Sequence, residues 1–214
     1  MKKSQLGGPD RHVQMDLSEE LWDRLRSRGI LFIDGEEVDA TESGCFYRDM
    51  FYLAMSGWPK EKPIWVIDNS PGGHADQCFA ICDTINAFKK EGYTVNTLCL
   101  GAVASAATII FQAGSRRYAM PTTRFLIHQV RQSHVFLEEE LGQGKDRLKE
   151  MERINNVACK IIADRVGMDL SVLLDMINKT DLWLSPEDAL KFGPNGLIDE
   201  ICETFPFMDR LVSG

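Results

Sequence analysis

No two cysteines of this chain form a C-x-x-C pair, no G-x-x-x-x-G-K-[ST] loop occurs anywhere, and basic residues are outnumbered by acids. Each shortage excludes something. The six cysteines, Cys45, Cys78, Cys82, Cys99, Cys159 and Cys202, are scattered, so a structural zinc site is not expected. Cys78 and Cys82 share a helix face, but with only His74 near them they read as small buried hydrophobes. Without a phosphate loop, ATP chemistry within the chain is not expected. With 24 Lys and Arg against 32 Asp and Glu, the formal net charge is −8, which argues against a nucleic-acid partner. The opening residues MKKSQLGGPDRHVQ hold no apolar stretch, so no secretory signal is expected and reduced thiols in a cytoplasmic setting fit best. No motif calls for a metal or a cofactor.

One long stretch lacks charge altogether, from Gly92 to Ser115. Its length alone would allow a membrane span. However, it carries Asn96, Gln112 and several hydroxyl residues, and basic pairs flank it on both sides, Lys89-Lys90 and Arg116-Arg117. Nothing there would orient a span. It also divides at Gly101 into a β-rich half and an alanine-rich half, so a buried segment of a water-soluble α/β domain is the better reading.

The 214 residues suffice for one sizeable core. Residues 1–15 are polar and read as a mobile arm, and Asp16 as the cap of a first helix with Leu17, Leu21, Trp22 and Leu25 on its apolar face. Strands are expected at Ile30–Ile33, Ile64–Ile67, Val95–Leu100, Arg117–Met120 and Arg124–Ile127, with a last short one at Leu197-Ile198. Helices are expected at Thr41–Ser56, Ala75–Lys90, Ala104–Ala113, Leu137–Val166, Asp169–Ile177 and after Ser185, with Asp181–Leu184 extended. In the long helix the expected apolar positions are Leu141, Leu148, Met151, Ile154, Val157 and Ile161. Unbroken apolar strands alternating with helices indicate a parallel sheet covered on both faces. In such sheets function collects where strands end and helices begin.

Three notable stretches lie at such ends. Asn69-Ser-Pro-Gly-Gly73 joins a strand to a helix, and its glycines let bare N–H groups approach a ligand. Gly101-Ala-Val-Ala-Ser105-Ala-Ala presents one hydroxyl among small residues at a helix start, although it is not the G-x-S-x-G elbow. Phe125-Leu-Ile-His128-Gln ends a strand on a histidine, a candidate general base beside an exposed serine. Taken singly, such a serine or histidine is usually a core residue. The other histidines are weaker candidates: His12 is in the arm, His134 in a polar connection, and His74 borders the glycine turn at a helix start. A base needs an orienting acid, and Asp181 opens an extended piece.

Taken in order, N-S-P-G-G, G-x-x-A-S-x-A, F-L-I-H-Q and D-L-W-L-S-P-E-D-A-L-x-F-G resemble the Clp protease proteolytic subunit (ClpP) family, from about Leu25 to Ile201. The resemblance implies an α/β, crotonase-like (ClpP-type) βαβ superhelix with a projecting handle helix. The peptidase domain would span 16–203, with the handle about 129–166 and a tail at 204–214. It implies Ser105 as nucleophile, His128 as base, Asp181 as third member, and the N–H groups of Gly73 and Ala106 as oxyanion hole. It further implies heptameric rings stacked in pairs, polypeptide substrates, and a separate AAA+ unfoldase as partner. Trp65, Ile67, Tyr118 and Met120 match the family's apolar docking pocket for that partner, and read equally well as strand core. The family's usual His-Gln-Pro and glycine pair is here His128-Gln-Val-Arg-Gln-Ser. Other readings are a virus-encoded capsid-maturation protease of the same fold, an acyl-CoA hydratase or isomerase of the crotonase type, and a non-catalytic ring subunit.

Overall fold

Strand β3 (Val95–Ala104) organises the molecule, because it is long enough to serve two sets of neighbours. The computed structural model describes residues 11–131, 141–178 and 180–212. Along its first half, β3 lies between β2 (Ile64–Ser70) and β4 (Arg117–Ala119). Outside these lie β1 (Ile30–Ile33) and β7 (Glu200–Ile201), giving the all-parallel order β1-β2-β3-β4-β7. Along its second half, Ala102–Ala104 pairs instead with β5 (Arg124–Ile127), and β6 (Leu182–Leu184) runs antiparallel to β5.

Gly101 therefore bends the strand rather than ending it. Its φ is +61°, and a Cβ there would sit 2.6 Å from Asn69 Oδ1, the atom that accepts the Ala102 N–H. The turn allows one strand to change partners and carry its end out of the first sheet layer.

Helices α2 (Ala40–Met55), α3 (Ala75–Lys90), α4 (Ala106–Gln112), α5 (Leu141–Val166) and α6 (Leu170–Asn178) contribute to one face of the core. Asp39 caps α2, its Oδ1 accepting the N–H groups of Thr41 and Glu42 at 2.8 Å each. Ser185 caps α7 (Pro186–Leu190), with Pro186 at its start. Ile64 and Val66 point into this main core, whereas Trp65 and Ile67 point to the other face. Both faces of β2 are thus covered, which accounts for its unbroken apolar run.

Several boundaries differ from expectation. Helix α1 spans Arg11–Arg26, so Asp16 lies within it rather than at its cap; no Gly or Pro interrupts the chain between Asp10 and Gly29. Leu21 and Trp22 stay largely exposed, Trp22 edge-on to Phe32 at 5.0 Å. The last strand forms at Glu200–Ile201, because Leu197 donates its N–H to Ala189 while Tyr118 pairs with Glu200. On α5 the covered residues are Ala158, Cys159, Ile162, Ala163 and Val166, whereas Leu148 and Val157 are exposed. The segment set apart as a tail contains α8 (Met208–Val212) and buries Phe207. Residues 1–10 of the expected arm, and the part of the expected handle between Gln132 and Glu140, lie outside the described residues.

Candidate active site

Ser105 is the single residue between β3 and α4. Its φ of 56° and ψ of −124° make it the only non-glycine with positive φ among the described residues. A backbone so far from the common wells persists only when its surroundings fix it. Here the Ser105 N–H bonds to Leu126 O at 2.9 Å, and the single Thr108 Oγ1 proton is shared between Val103 O and Leu126 O, 3.0 and 2.9 Å away. Gly72 completes the clamp: a Cβ on it would stand 2.6 Å from Ala104 O and 2.8 Å from both Ala106 N and Ser105 Cβ. The Asn69–Gly73 turn is therefore pressed directly against the serine turn.

The same packing leaves two N–H groups over. The bridge between Gly73 and Val38 uses the Gly72 carbonyl and the His74 N–H, not the Gly73 N–H. Ala106 is the first residue of α4, so its N–H has no acceptor within the helix. Both residues line one cavity of about 670 Å³ together with Ser105 and His128. Ile109, Ile127, Met151 and Ile154 add apolar wall to it.

His128 follows β5, whose pairing with β3 carries it to the same sheet end as Ser105. Its Nδ1 lies 2.5 Å from the Gln129 carbonyl oxygen. A carbonyl only accepts, so Nδ1 carries the proton and, in the neutral ring, Nε2 is left as acceptor. The antiparallel register Phe125↔Leu184, Leu126↔Trp183, Ile127↔Leu182 puts Asp181 opposite His128 when continued one step. The Asp181 carboxylate nevertheless does not meet the imidazole: it pairs with the guanidinium of Arg131. The structure thus brings Gly73, Ser105, Ala106 and His128 into one cavity, and leaves Asp181 beside it with another partner.

A sequence model of the family described as Clp protease matches residues 14–205. The chain belongs to the Clp protease family. Curated relatives agree: the ATP-dependent Clp protease proteolytic subunit 2 of Treponema denticola is 35% identical over 143 residues, covering 66% of this chain and 68% of that protein. The proteolytic subunit 1 of Protochlamydia amoebophila is 33% identical over 186 residues, covering 85% of this chain and 83% of its own. These similarities are to proteases, and neither the hydratase or isomerase reading nor the capsid-maturation reading is favoured by them.

In this member of the family the cavity has charged walls that motif reading did not supply. Arg131, and Arg147 and Glu150 of α5, line it. So do His74 and Glu37, whose Nε2 and Oε1 lie 3.6 Å apart. The spacing of Arg147, Glu150, Met151, Ile154 and Ala158 marks one face of α5, so this part of the wall was readable in principle. Arg131 was not, because its partner is fifty positions away.

The four expected docking residues also come together, as neighbours in the second core cluster. Trp65, Ile67 and Tyr118 are buried and Met120 is half-buried. Trp65 packs on Tyr118 and Phe207 with ring centroids 5.1 and 5.4 Å apart, so the chain's own Phe207 covers part of this surface. The thiols are free, Cys78 and Cys82 are buried in the main core, and no group of three metal-ligating side chains occurs among the described residues. Among them, too, no helix is long and apolar enough to cross a membrane. His134 lies outside them.

Proposed function

We propose that this member of the Clp protease family is a serine endopeptidase in which Ser105 is the nucleophile, His128 the general base and Asp181 the orienting acid. The observation that carries the reading is the cavity shared by Ser105, His128, Gly73 and Ala106. Ser105 Oγ attacks the scissile carbonyl while His128 Nε2, unprotonated because Nδ1 holds the proton, takes the hydroxyl proton. The oxyanion that forms accepts hydrogen bonds from the N–H groups of Gly73 and Ala106. His128 then returns its proton to the leaving amine, and water repeats the sequence on the acyl-enzyme.

Its substrates are unfolded polypeptides, admitted to a chamber made of stacked heptameric rings and fed by a separate AAA+ unfoldase in the cytoplasm. Two features support this. The names of both relatives, proteolytic subunits of ATP-dependent proteases, fit a chain with no phosphate loop of its own. Helix α5 is 26 residues long, and its first described turns are mostly exposed, as suits a projecting handle that pairs with another subunit.

Replacing Ser105 by Ala tests the assignment. The change removes one hydroxyl beside alanines, so folding and assembly, followed by light scattering, are expected to survive. Turnover of short fluorogenic peptides is expected to fall by about 10⁶-fold. Undiminished turnover would overturn the serine-protease assignment.

A further inference from the structure

His128 and Asp181 lie one step beyond the last paired residues of β5 and β6, Ile127 and Leu182, yet their side chains are engaged elsewhere. The single Nδ1 proton of His128 goes to the Gln129 carbonyl at 2.5 Å, and Asp181 goes to Arg131. Arg131 lies beyond the end of β5, three residues after His128, and lines the cavity that holds Ser105. Resting on the reading of Ser105 and His128 as nucleophile and base, we infer that Arg131 is a positioning residue that acts through Asp181. It draws the carboxylate away from the imidazole and so sets the fraction of molecules with a complete triad.

The strength of this hold follows from exposure. The two side chains are 65% and 38% exposed, and such pairs bias a geometry by no more than about fivefold. The device is therefore near balance. The strand register, continued one step, brings the two residues opposite each other, so the exchange is local to this strand end. When the carboxylate moves to Nδ1 it displaces a neutral carbonyl, and it stabilises the imidazolium that forms as Ser105 gives up its proton. Arg131 follows β5, four residues after Ile127.

The test is a double-mutant cycle on the full-length assembled protein, read with a short fluorogenic peptide across pH 5–8. Arg131→Gln is expected to raise kcat two- to fivefold. It should also move the acid limb of the pH–rate profile to higher pH, because a carboxylate beside the base favours its protonated form. In an Asp181→Asn background the gain and the displacement should both vanish. The other charged groups lining the cavity, Glu37, His74, Asp76, Arg147 and Glu150, are common to all four proteins and cancel in the comparison. Arg131→Lys keeps the charge without the planar fork, and is expected to give a smaller gain in the same direction. A fall in kcat on Arg131→Gln, or an equal effect in both Asp181 backgrounds, would overturn the inference. Should that variant not assemble, an unchanged acid limb in Arg131→Lys would do so. Turnover that survives Ser105→Ala would instead overturn the underlying assignment, so the two failures are distinguishable.

Discussion

The serine side of the cavity is fixed by main chain, whereas the histidine side is fixed by side chains. Ser105, Gly73 and Ala106 sit where β3, the Asn69–Gly73 turn and α4 press together, and backbone or buried hydroxyl hydrogen bonds hold them. His128, Arg131 and Asp181 sit where β5 and β6 part, held by an exposed ion pair, a bond to a neighbouring carbonyl and, between them, hydrogen bonds from Gln129 Nε2 to Asn178 Oδ1 and from the Val130 N–H to Asn155 Oδ1. Main-chain geometry cannot relax without unfolding its element, while an exposed pair can be exchanged at small cost. The proposed nucleophile and oxyanion donors are thus preorganised in the single chain, and the proposed base and acid are the adjustable part.

The heaviest blow to the backbone geometry of the fixed side is Gly72→Ala. Gly72 has φ +95° and no room for a Cβ against Ala104 O, Ala106 N and Ser105 Cβ. Strain of about 1–3 kcal/mol is expected, with the turn displaced rather than the domain unfolded. Loss of one oxyanion donor typically costs 10²–10³ in kcat, and that range is expected for peptide turnover. Activity within twofold of the parent protein would show that the turn is not the rigid element described here.

A milder change sharpens the contrast from beneath the site. Asp68 is completely buried in β2, and neither carboxylate oxygen has a hydrogen-bond partner. Burial first, and then the nearby charge of Glu42, push its carboxyl well above the usual range. The folded protein therefore keeps a proton that the unfolded chain releases above about pH 3.9. Folding against that release costs nothing below the unfolded value. Above it, stability falls by about 1.4 kcal/mol per pH unit until the folded group itself ionises. Asp68→Asn, neutral at every pH, should raise the unfolding temperature, with a margin that widens as the pH rises above about 3.9. Glu42, Cys78 and Cys99, the titratable groups around it, are present in both proteins. A constant margin, or a loss of stability at pH 8, would contradict a protonated Asp68.

These contrasts follow what the sequence could and could not express. Strands β1 and β5 and helix α3 end where they were expected to, at Ile33, Ile127 and Lys90, because their signals are local. Ser105, His128 and Gly73 were legible as a set because each lies at a strand end, and the sheet brings such ends together. Asp68 was missed because a carboxylate normally closes a strand, whereas here β2 continues through it to Ser70. The bend at Gly101 was taken for a stop, since no local signal tells a strand that ends from one that changes partners. The Arg131–Asp181 pair joins residues distant in sequence through a contact between exposed side chains, which no periodicity encodes.

Reaction of the assembled protein with a serine-directed fluorophosphonate, followed by mapping of the modified peptide, tests the central claim most directly. A single phosphonyl group on Ser105, absent from Ser105→Ala, is the expected result. An unmodified Ser105 in protein that turns over peptides, or label on another residue, would contradict the account.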